Sequence, residues 1–134
     1  MSESFSVLNP PRPTEAKISD WPGLDGLGLA LALASLARRQ GGPVLVVASD
    51  GYSARQLRDD LKQLDAPPVE LFPDWEILPY DLYSPHPDLV SRRLDLLSRL
   101  PGMDEGIVIA PVSAVIQRLA PPAWIRGQSL NLTV

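Results

Sequence analysis

The spacing of hydrophobic positions changes several times along the chain, and each change marks an element. From Gly23 to Gln40, Leu and Ala crowd together with Arg38 and Arg39 at the end and Gly41 and Gly42 after them. This predicts a helix buried on more than one side, with cations at the negative end of its dipole and a glycine stop. Pro43–Ala48 is continuously apolar and β-branched, the signature of a strand covered on both faces and central in a parallel sheet. A capping box at Ser53–Gln56 then opens a helix to Leu64, with Leu57, Leu61 and Leu64 at helical spacing. Val69–Phe72 reads as a short strand.

Pro73–Pro87 is rich in proline and carries Trp75, Tyr80 and Tyr83. It is too long for an ordinary connection and too aromatic for a solvated linker, so an ordered loop is predicted. From Asp88 to Leu100 the apolar face is Leu89, Val90, Leu94, Leu97 and Leu100, and the polar face is Arg92, Asp95 and Arg99. Gly106–Ala110 is a third buried strand. Pro111 at a first helical position opens a helix to Leu119, ended by Pro121 and Pro122. Helices alternate with strands apolar on both sides, so the fold class is α/β: an open, mostly parallel sheet with helices on both faces. Residues 1–13 form a flexible N-terminal arm, 14–127 the α/β subdomain, and 128–134, with the alternating pattern Ser-Leu-Asn-Leu-Thr-Val, the start of a following domain.

Composition narrows the chemistry. The 134 residues hold no cysteine and one histidine, His86, which argues against thiolate chemistry and a histidine-based metal site. Twelve basic against sixteen acidic residues provide no global field for a phosphate backbone. No run approaches a membrane span and the N-terminus lacks signal-peptide order, so the chain is expected in the cytoplasm and off the membrane.

The candidate phosphate loop is Gly23-Leu-Asp-Gly26-Leu-Gly28-Leu-Ala30. Leu27 and Leu29 occupy the neighbourhood where a lysine and a hydroxyl would meet phosphate and magnesium, so Gly23, Gly26 and Gly28 read as packing glycines of a degenerate nucleotide site. Asp81 and Asp88 flanking His86 suggest an acid/base pair, against which stands a turn-and-cap role with no nucleophile nearby. Ser53 beside Tyr52 reads as a cap. Trp75, Tyr80 and Tyr83 beside Arg92 and Arg93 would either stack single-stranded nucleic acid or bury the loop, with the arginines pairing with Asp88 and Asp95. Trp75 and Tyr80 as docking anchors for another domain remain a third reading.

The string Asp74-Trp-Glu-Ile-Leu-Pro-Tyr-Asp-Leu-Tyr-Ser-Pro-His-Pro-Asp-Leu-Val-Ser-Arg-Arg-Leu94, followed by Ile109-Ala-Pro-Val-Ser-Ala-Val-Ile-Gln-Arg118, resembles the N-terminal region of bacterial transcription-repair coupling factors over about Gly42–Arg118. The resemblance implies a subdomain similar to the excision-repair protein UvrB, helicase-like (P-loop-like) with a decayed ATP site. It also implies a parent protein that displaces stalled RNA polymerase on DNA with a separate motor and recruits UvrA through an inserted domain. On this reading the chain is a non-catalytic scaffold without cofactor, its immediate partners being other domains of the parent. The alternative is a nucleotide- or single-stranded-nucleic-acid-binding domain.

Overall fold

A computed structural model describes residues 6–12, 18, 20–76, 82 and 84–128. Tyr80, Asp81, Tyr83 and the alternating tail at 129–134 lie outside them.

The order is α1 (Gly26–Gln40), β1 (Val44–Ala48), α2 (Gly51–Lys62), β2 (Val69–Leu71), α3 (Pro87–Arg99), a 3-10 turn (Leu100–Gly102), β3 (Ile107–Pro111), α4 (Val112–Val115) and α5 (Pro122–Gln128). The three strands form one parallel sheet in the order β1-β3-β2, with Val46 and Leu71 both in register with Ile109. The expected α/β class with a parallel sheet and helices on both faces is therefore observed.

Side-chain alternation along the strands builds two apolar layers. On one face Ile107 and Ile109 pack with Val44, Val46, Val69 and Leu71 against Ala30, Leu33, Ala34 and Ala37 of α1 and Ala54, Leu57 and Leu61 of α2. On the other, Val108 and Ala110 pack with Phe72, Leu96 of α3 and Ala114 of α4, and Leu100 and Met103 close the rim. Burial of α1 at Ala32 and Leu36, off its core face, matches the expectation of a helix covered on more than one side.

Pairing overturns one strand assignment. The central strand is β3, buried at every residue, whereas β1 lies at an edge. Leu45 and Val47, in register with the buried Val108 and Ala110, are 62% and 50% exposed, because the second helical layer ends over β3. A continuous apolar run reports what a strand tolerates on its faces, and the hydrogen-bond order is decided by its neighbours.

Several boundaries also move. α1 starts at Gly26 because Gly23 and Gly26 adopt φ of 71° and 47°, outside the right-handed helical region. α2 starts at Gly51, and its cap is Asp50, whose carboxylate accepts from Ser53 N at 2.8 Å and Ser53 Oγ at 3.0 Å, so Ser53 is the capped residue. Those hydrogen bonds, the Ser53 amide first, hold the Asp50 carboxyl below its ordinary range. β2 stops at Leu71, β3 runs through Pro111, and α4 is a single turn. Pro122 opens α5, whose Ile125 is buried, where sequence pattern had only a helix stop. Proline at a first helical turn starts a helix as readily as it ends one.

Candidate functional site

The carboxyl end of the strands is where open parallel α/β sheets bind ligands, since helix N-termini and loops converge there. A cleft of about 950 Å³ opens at that end of β1. The glycine loop forms one wall through Leu24–Leu29, the end of β1 through Ser49 forms the floor, and Ser53, Gln56 and Asp60 of α2 form the other wall. Sequence reasoning placed Gly23, Gly26 and Gly28 at a loop leading into a helix, and the structure puts Gly26 and Gly28 on this cleft.

Its charge is the reverse of what a phosphate needs. The ionisable groups among the described lining residues are Asp25 and Asp60, and Asp50 sits beside the floor as the α2 cap. Leu27, 55% exposed, stands in the first turn of α1, and that turn carries no acidic or polar side chain bonded to its amides: Asp25 occupies the cap position without a side-chain hydrogen bond. A triphosphate here would meet two carboxylates and no compensating cation from the lining, a repulsive arrangement even at the effective dielectric of a surface cleft.

The second cluster lies beyond β2 on the opposite layer. Arg93 is 2% exposed, and its guanidinium carbon is 4.2 Å from the Phe72 ring centroid and 4.1 Å from that of Trp75, so the cation is sandwiched between two rings. Its Nη1 donates to Pro73 O at 2.6 Å. Asp74, next to it, accepts from Ser113 Oγ at 2.6 Å, Gln117 Nε2 at 2.7 Å and its own neighbour Trp75 N at 2.7 Å. Burial pushes the Asp74 carboxyl up, but the bonds from Ser113, Gln117 and Trp75 and the nearby charge of Arg93 outweigh it and leave it below the ordinary carboxylate range. Burial lowers Arg93, opposed by Asp74. Arginine keeps its charge in such a place because its free value is so high.

This cluster corrects two expectations. The inward face of α3 is centred on Arg93 and Leu96, with Leu89, Val90, Leu94, Leu97 and Leu100 only half-buried around it. Arg93 does not pair with Asp88 or Asp95: Asp95 is held by Arg99 at 2.8 Å, and Arg92 is exposed without a bond to a described residue. The stacking surface proposed for nucleic acid therefore loses Arg93 to the interior, and Trp75 is half-buried with a face on that arginine. Sequence reasoning missed Asp74, Ser113 and Gln117 as partners, since they lie 39 and 43 residues apart. All three were inside the recognised strings, a signal that marked them without saying what they touch.

His86 is exposed and serves as the α3 N-cap, its Nδ1 accepting from Asp88 N at 3.3 Å and standing 3.7 Å from Asp88 Oδ2. No group of three or more His, Asp or Glu among the described residues is arranged to hold a metal ion. No helix among them is long and apolar enough to cross a membrane.

Comparison with known proteins gives one consistent answer. The chain is 40% identical over 107 residues to the transcription-repair-coupling factor of Escherichia coli, which covers 80% of this chain and 9% of that protein. It is 39% identical over 123 residues to that of Haemophilus influenzae, covering 90% and 10%, and 32% identical over 111 residues to that of Bacillus subtilis, covering 81% and 9%. No protein-family model matches the chain.

Proposed function

We propose, for a chain that belongs to the transcription-repair-coupling factor family and spans about a tenth of the length of the curated relatives it matches, that this segment is a non-catalytic scaffold and interaction module. The observation that carries the reading is the chemistry of the strand-end cleft. Leu27 and Leu29 stand on its helix wall where phosphate chemistry needs a lysine and a hydroxyl, and Asp25 and Asp60 supply the wrong sign of charge. The domain retains the architecture of a helicase-like, UvrB-type nucleotide domain and serves to hold neighbouring parts of a larger cytoplasmic protein in place. In that protein, on this proposal, a motor outside this chain acts on DNA and stalled RNA polymerase, and an adjacent domain recruits UvrA. The competing nucleic-acid reading is weakened by the burial of Arg93 and by the net charge of −4.

The test is a calorimetric titration of Mg-ATP into the chain. Absence of saturable binding at millimolar nucleotide is the expected result. Micromolar binding would overturn the reading and make the cleft a working nucleotide site.

A further inference from the structure

We infer that the groove along the outer edge of β2, which pairs with no other described strand, is a docking site for an extended acidic peptide segment, which adds to the sheet as a further strand. This deepens the interaction-module reading and rests on it.

The backbone comes first. β2 is the outer strand on its side of the sheet. Phe72 N donates to Ile109 O and Ile107 N donates to Pro68 O, both at 2.8 Å, so the residues at 68, 70 and 72 turn their peptide groups toward β3. By the alternation of a ladder, Val69 and Leu71 turn theirs outward, and no described residue bonds them. Such an edge is a template for another strand unless something blunts it.

The walls supply the charge. A groove of about 240 Å³ has β2 and Pro73 as its floor, Arg58 and Lys62 of α2 on one side and Arg92 and Arg99 of α3 on the other. Its two carboxylates, Glu70 and Asp95, are both held by Arg99, at 3.0 and 2.8 Å. Lys62 and Arg92, both exposed, make no hydrogen bond or ion pair with a described residue. Successive side chains of an added strand would point alternately to the α2 side and the α3 side. A cation waits on each, so acidic residues at adjacent positions would both be met.

A phosphodiester fits this groove less well. Glu70 and Asp95 interrupt the positive track, and none of the described lining residues is aromatic, so bases have nothing to stack on. Outward-facing amides and carbonyls at strand repeat match a polypeptide.

The probe is a fluorescein-labelled octapeptide of alternating Glu-Asp and Val-Thr pairs, titrated into the 134-residue chain at low salt and followed by anisotropy and by amide chemical shifts. Expected are saturable binding, shifts concentrated at Val69 and Leu71, and roughly tenfold weaker binding in the double variant K62E/R92E, with R118E, away from the groove, unaffected. Both reversed positions are exposed and pair with no described residue, so melting temperature is expected to hold. Absence of saturable binding, or binding kept by K62E/R92E, would overturn the proposal. Preferential binding of an oligothymidylate of equal charge, lost in the same variant, would also overturn it and assign the groove to nucleic acid. The Mg-ATP titration on the same sample separates the two readings: nucleotide binding sinks the scaffold reading, whereas a flat nucleotide titration with a flat peptide titration sinks only this one.

Discussion

Asp74, just past β2, accepts a 2.6 Å hydrogen bond from Ser113 Oγ on α4, which follows β3. The bond ties the chain leaving an edge strand to the chain leaving the central one, so the start of the long Pro73–Pro87 segment is set by a contact 39 residues away. The other carboxylate oxygen takes Gln117 Nε2 and Trp75 N, and Arg93 lies close enough to add its charge.

The pH dependence follows from that carboxyl. Its folded value is below the ordinary one, so its contribution to stability is fully present above about pH 4, the unfolded value, and is lost as pH falls through the folded value. Urea melts of the wild type are expected to weaken on going from pH 6 to pH 3. Asp74→Asn is expected to be less stable at pH 6 by about 1–3 kcal/mol, having an amide facing donors, and to show a smaller change with pH. A variant with the same pH slope as wild type would show that the carboxyl is not the titrating group.

Arg93→Ala removes a cation from between two rings and opens a void under α3. The expected cost is about 3 kcal/mol, combining a lost pair of cation–π contacts with cavity formation. Arg93→Lys is expected to recover little, because an ammonium cannot present two flat faces to Phe72 and Trp75. Trp75→Ala, at a half-buried ring, is expected to cost less than Arg93→Ala. Thermal melts of the three variants check the ranking.

Gly106 leads into the central strand with φ of +129°, and a Cβ there would meet Met103 Cε at 3.0 Å and Pro68 O at 3.1 Å. Its own carbonyl accepts from Val44 N at 2.9 Å, so the backbone cannot move aside freely. Gly106→Ala is expected to destabilise by about 1–3 kcal/mol, measured by denaturant midpoint at unchanged slope.

The uneven cover of the sheet makes a paired prediction. Leu45→Ala, on the open face of β1, is expected to cost less than about 1 kcal/mol, while Ile109→Ala at 0% exposure is expected to cost about 3–5 kcal/mol. Equal losses would mean that Leu45 is covered in solution.

Near the N-terminus, Arg39 at the end of α1 donates to Asn9 Oδ1 and Pro10 O, both at 2.6 Å, and Pro10 is among the fully buried side chains. Arg39→Ala is expected to expose residues 6–12 to limited proteolysis and to lower the melting temperature, since the bond to Pro10 O is part-buried and a hydrogen bond from a charged group contributes about 1.5–3 kcal/mol.

Much of this protein was legible as pattern. The three helices longer than two turns, the three strands and the parallel α/β class follow from spacing and glycine placement, which act over a few residues. The strings from Asp74 to Leu94 and from Ile109 to Arg118 carried the family relationship as well. What sequence could not supply was set by contacts between distant segments. Only pairing decided that β3 is central and β1 an edge, because an apolar run reads the same in either place. Only packing turned Arg93 inward on a helix whose leucines suggested another face: Phe72 and Trp75 arrive from beyond β2 to stack on its charge and Pro73 O accepts a hydrogen bond from Nη1, which offset the burial although Nη2 is left without a hydrogen-bond partner. Local periodicity determines which elements form, and the satisfaction of polar groups across the fold determines how they face one another.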